Sequence, residues 1–215
     1  MNLRYFFDSV RYSEDIDLDL LGVPSWNLEK KVDDLLAKGT LSLLLRPAEV
    51  SIAEFSKPKQ TDTTQRWKIG LHVPWRREAL RTKVEFSHRE GEGGYRLEPI
   101  PARIVEPYAL RAPVVQHYTG DVPAEQKVAA LAGRSETQAR DVFDLDLLLR
   151  RKPLPQGAVA GETLEAAAER ALELPFDAFR DQVLPFLESD AVELYDAGSW
   201  EQMQTFVAAK LEELA

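Results

Sequence analysis

Through the first hundred residues the apolar positions recur mainly with a period of two. Asp15, Asp17 and Asp19 alternate with Ile16, Leu18 and Leu20, so a strand here would carry three carboxylates on one face and three aliphatic side chains on the other. The segment from Thr40 to Phe55 alternates or runs apolar through Leu41, Leu43, Leu45, Val50 and Ile52, and Trp67, Ile69, Leu71 and Val73 alternate with more polar neighbours. Both read as strands. From Thr82 to Arg89, Val84 and Phe86 share one face and Lys83, Glu85 and Ser87 the other. One helix interrupts this region: Ser25 is placed to cap a helix over Trp26 to Lys38, which Gly39 ends.

Gly91 to Val114 is rich in glycine and proline and predicts turns, short extended pieces and a domain boundary. Beyond it the period becomes helical. Pro123 suits a first helical position behind Asp121, and helices are expected near Ala124 to Ala132, Glu136 to Arg151, Thr163 to Leu172, Phe176 to Leu187 and Trp200 to Leu214. The pattern predicts an α+β chain, a mixed sheet with flanking helices over residues 1–118 followed by a C-terminal helical domain over 119–215. The last two helices are amphipathic, and core packing accounts for that.

Charge divides the two halves. The chain carries a net charge of -9, yet residues 1–118 hold 18 basic and 17 acidic side chains against 9 and 19 in residues 119–215. A chain of this balance does not coat nucleic acid indiscriminately. The absence of cysteine excludes disulfides, thiolate metal sites and cysteine nucleophiles. His72, His88 and His117 show no metal-ligand spacing. With no membrane-length apolar stretch and no signal-peptide pattern at Met1 to Asp8, the expected location is the cytoplasm.

The strip Asp15, Asp17, Asp19 is the strongest chemical signal. Like charges at that spacing repel, and a cation or solvent must relieve them. Magnesium takes a few carboxylate oxygens and leaves its other positions to water and phosphate, which an Asp-x-Asp on a sheet suits. Two-metal phosphoryl chemistry needs one more carboxylate from elsewhere, and Glu85, on the polar face of a later strand, is the candidate. An Asp-x-Asp by itself also describes an ordinary solvated strand face.

Its neighbours make the pattern more specific. Arg-Tyr-Ser-Glu-Asp-Ile-Asp-Leu at 11–18, Lys83-Val84-Glu85-Phe86-Ser87 followed by Arg89-Glu90, and Glu125-Gln126-Lys127-Val128 with Arg134 and Arg140-Asp141-Val142-Phe143-Asp144-Leu145 together resemble the AbiEii/AbiGii nucleotidyltransferase toxins of the DNA polymerase beta-like superfamily. The resemblance implies a nucleotidyltransferase-like core in 1–118. It implies Asp15 and Asp17 as metal ligands, Glu85 completing the metal site or assisting the attacking group, and Lys127 and Asp141 in the nucleotide cleft, with Ser13 and Arg140 also toward the nucleotide. From the residues alone, Lys127 also reads as a solvated helical lysine, and Arg140 and Asp144 as an exposed pair four residues apart. Asp141, on a helix apolar nearly all round, calls for a polar cleft or a buried partner.

The family's Gly-Gly-Thr/Ser phosphate-binding turn would fall just ahead of Met1, and Asn2 to Phe6 resembles the end of the helix that follows it. Two expectations compete: an internal start within a longer enzyme, or a shortened descendant that keeps the fold without catalysis and acts through protein contacts. An active enzyme would use Mg2+ and a nucleoside triphosphate, with an RNA such as the tRNA 3′ end as acceptor and a cognate antitoxin as partner. Arg76, Arg77, Arg81, Lys83 and Arg89 form a basic set suited to phosphate contacts, or equally to guarding a strand edge. Trp75 suits base stacking or the core.

Overall fold

The computed structural model describes residues 2–20, 22–88 and 94–215. Its contacts gather the chain into two units, one of Ser13–Gly93 and one of Met1–Tyr12 with Gly94–Ala215. The expected division lay at residue 118 instead. Arg89, Glu90 and the glycines at 91 and 93 lie outside the described residues.

In the Ser13–Gly93 unit, strands β1 (Asp15–Leu20), β2 (Ser51–Gln60), β3 (Thr64–Val73) and β4 (Arg76–His88) pair in the order β1-β4-β3-β2. The β1–β4 pair is parallel and the other two are antiparallel. Helix α2 (Ser25–Ala37) covers one face. Leu28, Val32 and Leu36 recur every fourth residue and meet Trp67, Ile69, Val84 and Phe86, the pattern of one apolar helical stripe on one sheet face. Trp67, fully buried, donates its indole N–H to Asp33 Oδ1 at 3.0 Å.

Two local expectations change in this unit. Pro24, not Ser25, is the N-cap of α2, and the Ser25 hydroxyl donates to Asp62 Oδ1 at 3.2 Å instead. The first part of the Thr40–Phe55 segment is helix α3 (Thr40–Leu45), followed by a 3-10 turn at Arg46–Ala48. Leucine favours helix over strand where no β-branched residue intervenes, and Leu43 and Leu44 are exposed, so the apparent alternation did not record burial. Gly39, at φ 78°, ends α2 and opens α3 in a region that L side chains avoid.

The other unit begins with α1 (Asn2–Phe6) and contains β5 (Tyr95–Pro99), α4 (Ala102–Val105), β6 (Val114–Tyr118), α5 (Asp121–Gly133), α6 (Ala139–Arg151), α7 (Gly161–Glu173), α8 (Phe176–Gln182) and α9 (Ala197–Glu212). Strands β5 and β6 pair antiparallel. The helices close on one core that includes Leu131, Leu145, Phe179, Trp200 and Leu211. Helix ends are tied off by side chains. Arg170 donates to the carbonyls of Leu131 and Arg134, Gln204 to those of Ala171 and Leu174, and an Asp196–Ser199 capping box opens α9. Leu3, Phe7 and Val10 pack against the same core, and Tyr12 N–H donates to Phe186 O at 2.7 Å. These long-range contacts place the first twelve residues with the helices, which local composition does not reveal.

Candidate active site: a carboxylate face and a buried ion cluster

Strand alternation puts Asp15, Asp17 and Asp19 on the sheet face opposite α2. The β1–β4 register sets Asp15 opposite Lys83, Asp17 opposite Glu85 and Asp19 opposite Ser87, and register partners share a face. Three of the predicted residues, Asp15, Asp17 and Glu85, therefore share one face of one parallel pair. Ser13 lies just before the strand, where its hydroxyl donates to the Asp15 carbonyl at 2.8 Å.

Two cations that the sequence did not assign to these acids organise them. Lys83 Nζ stands 3.3 Å from Asp15 Oδ2 and 3.7 Å from Asp17 Oδ1. Arg66, register partner of Glu85 on β3, donates its Nε–H to Glu85 Oε2. Partial burial pushes the Glu85 carboxyl up, but that hydrogen bond and the charges of Arg66, Lys83 and Lys59 prevail and hold it below the usual carboxylate range. The strand pattern already placed Lys83 beside Glu85. What it lacked was the register that brings Lys83 to Asp15 and Asp17.

The donor set suits a hard divalent cation. Its ligand atoms are carboxylate oxygens, and the Asp15 and Asp17 side chains are 40% and 71% exposed, which leaves room for water and phosphate oxygens. Among the described residues no three acidic or histidine side chains converge on one point. The fit therefore rests on the Asp15 and Asp17 pair, within the one or two carboxylates that magnesium ordinarily takes. Lys83 supplies a positive charge where such an ion would stand.

Lys127, Asp141 and Arg140 belong to the helical unit. Asp141 and Asp144 are wholly buried on α6. Lys127 Nζ bridges them, 2.8 Å from Asp141 Oδ1 and 2.7 Å from Asp144 Oδ2. Arg134 NH1 reaches Asp141 Oδ2 at 2.7 Å, and Arg11 grips both oxygens of Asp144 at 2.8 to 3.1 Å. Burial pushes the Asp144 carboxyl up, but the charges and hydrogen bonds of Lys127 and Arg11 outweigh it and hold it below its ordinary value. Two buried anions thus share three cations, as burial of charge demands. Asp144 does not pair with Arg140, which is exposed and has no ion pair among the described residues. Arg11, Arg134 and Asp144 all lay within the quoted motifs, without a signal that they meet.

With this geometry in place the comparisons decide the family. A family described as "Nucleotidyl transferase AbiEii toxin, Type IV TA system" matches residues 1–213. The chain belongs to the AbiEii nucleotidyltransferase toxin family. Two crystal structures share the fold of this AbiEii chain. JHP933 from Helicobacter pylori is 18% identical with a TM-score of 0.56, the match covering 94% of this chain and 77% of that one. A provisionally assigned nucleotidyltransferase from H. pylori is 19% identical, also at 0.56, covering 100% and 86%. The search of curated proteins returned no match. The AbiEii chain is a nucleotidyltransferase, and its type IV toxin–antitoxin family implies a nucleotide substrate and a cognate antitoxin. Among the described residues no helix is long and apolar enough to cross a membrane.

Proposed function

We propose that this AbiEii chain is a magnesium-dependent, cytoplasmic nucleotidyltransferase that moves a nucleotide from a nucleoside triphosphate to an RNA acceptor, with the tRNA 3′ end as the candidate. The observation that carries the reading is the register of β1 on β4, which sets Asp15 and Asp17 beside Glu85 on one face.

Asp15 and Asp17 are the metal ligands of this reading. The bound ion would neutralise charge on the transferring phosphate and favour the ionised acceptor hydroxyl. Glu85, kept ionised by Arg66, either completes the metal seat or accepts the hydroxyl proton. Lys83, on the same face, is poised to meet a phosphate oxygen as a point charge. Ser13 fixes the start of β1 through the Asp15 carbonyl. In the helical unit, Lys127 has two of its three N–H donors engaged by Asp141 and Asp144, which leaves it one further donor.

The test is incubation of the chain with Mg2+, each α-labelled nucleoside triphosphate in turn, and total tRNA, beside an Asp15→Ala, Asp17→Ala double variant. Label transferred by the parent and not by the variant is the expected result. Transfer by neither would overturn the reading in favour of a binding protein that keeps the fold without the chemistry. Transfer by both would remove Asp15 and Asp17 from the reaction.

A further inference from the structure

The face that carries Asp15, Asp17 and Glu85 continues across β3 and β2, and in the rows level with those acids its charge changes sign, while one row further on Glu54 of β2 pairs with Arg81 at 3.5 Å. Two rows of register partners cross the sheet: Asp17, Glu85, Arg66 and Lys59 in one, and Asp15, Lys83, Lys68 and Ser56 in the other. Each row begins with acid on β1. Beyond β4 the charged side chains of both rows are basic.

The basic end sets like charges side by side. Lys59 faces Arg66 and Lys68 faces Lys83 as direct cross-strand partners, an arrangement that destabilises a sheet when like charges meet. Arg66 is engaged by Glu85, and Lys83 by Asp15 and Asp17. Lys59 and Lys68 are exposed and have no ion-pair partner among the described residues. Lys68 stands on β3, an interior strand, so guarding a sheet edge does not explain it.

A β-bulge places Lys59. Between Ser56 and Lys59 on β2 the register advances three residues while β3, from Lys68 to Arg66, advances two. Without the extra residue, Lys57 and Lys59 would share a face. With it, Lys57 bonds Glu29 and Asp33 of α2 at 2.6 and 2.8 Å, while Lys59 becomes the partner of Arg66 on the opposite face. Bulges commonly re-aim a side chain in this way beside functional sites.

Three strand spacings of about 4.8 Å separate Asp17 from Lys59, roughly 14 Å in all. Measured between strand axes that exceeds the length of a triphosphate chain, so engaging both the acids and Lys59 suits a longer polyanion. A nucleic-acid strand is long enough: with its 3′ hydroxyl at the acidic end, its preceding phosphates lie over the basic end. We propose that Lys59 and Lys68, flanking Arg66, form a phosphate-binding row that holds the backbone of a single-stranded RNA acceptor. This rests on the reading of the carboxylate face as the site of transfer to RNA.

The experiment is fluorescence anisotropy of a labelled single-stranded RNA oligonucleotide on the full chain, without nucleotide, across a salt series. A Lys59→Gln, Lys68→Gln double variant is expected to bind at least about tenfold more weakly at low salt. Its salt slope should fall by about 1.4, since each phosphate contact on a single strand contributes about 0.7. Lys57→Gln, altered on the α2 face, should bind as the parent does, and Lys59→Arg, Lys68→Arg should restore binding. Equal affinity and slope for the parent and the Gln variant would overturn the proposal. So would retained RNA binding with weakened nucleoside triphosphate binding, which would assign the row to the donor. Because the Asp15→Ala, Asp17→Ala variant should still bind RNA, loss of transfer and loss of the row are separate results.

Discussion

Asp17 and Glu85 are direct register partners on neighbouring parallel strands, and they present their carboxylates on the face of the sheet that α2 leaves uncovered. Their repulsion is offset by Lys83 on one side and Arg66 on the other. Asp17→Asn keeps the shape of the side chain and removes its charge. Nucleotide transfer should fall by about two orders of magnitude or more, since metal charge stabilisation is worth several kcal/mol, with the melting temperature held or raised. Transfer rate and thermal melting on the same preparation check both halves.

Lys83 acts as the resident counter-ion of Asp15 and Asp17. Lys83→Ala should lower stability by about 0.2 to 1 kcal/mol, the range of partly exposed pairs, and millimolar Mg2+ should restore more of it than the parent gains. Melting curves with and without Mg2+ give the comparison. Equal metal effects on both proteins would count against a shared cation position.

The cluster around Asp144 predicts a much larger effect. Asp144→Ala leaves Arg11 without its carboxylate partner and Lys127 with Asp141 alone, and breaking such a network costs about 3–5 kcal/mol. Asp34→Ala, at the exposed pair with Lys38, should cost less than about 0.5 kcal/mol. Urea denaturation of the two variants should separate them clearly.

Acid stability follows from the same group. The folded Asp144 carboxyl lies below its ordinary value because Lys127 and Arg11 outweigh burial. The unfolded chain therefore takes up this proton first, and the stability involved is complete above the unfolded value of about 3.9. It is lost as pH falls below that point and through the folded pKa. Urea midpoints should hold from pH 7 to about 5 and drop below about 4, and Asp144→Asn should flatten that drop.

Much of this arrangement was legible where local pattern coincides with burial. The helix expected over Trp26 to Lys38 and the helical periods after residue 120 bury apolar stripes, and the Asp15 to Leu20 alternation forms a strand whose Leu20 meets the core while Leu18 is 44% exposed. Asp141 called for a polar cleft or a buried partner, and the structure sets the partly exposed Lys127 and Arg134 against it. The pattern misled at Thr40–Leu45, where leucines spaced like a strand form a helix with Leu43 and Leu44 in solvent. In the Gly- and Pro-rich stretch, short extended pieces were expected, but the pairing of β5 with β6 was not. Register and long-range contact were the main omissions. Nothing in the sequence shows that Lys83 aligns with Asp15, that a bulge turns Lys59 away from α2, or that Arg11 travels 133 residues along the chain to meet Asp144.

The central claim is that Asp15 and Asp17 seat the catalytic metal, and manganese binding tests it without dependence on the acceptor. Electron paramagnetic resonance of Mn2+ titrated with the chain and a non-hydrolysable nucleoside triphosphate should show the free-ion signal quenched by the parent. The Asp15→Asn, Asp17→Asn variant, folded by circular dichroism, should leave only the quenching due to the nucleotide itself. Equal quenching beyond that nucleotide background by parent and variant would contradict the account and place the metal elsewhere.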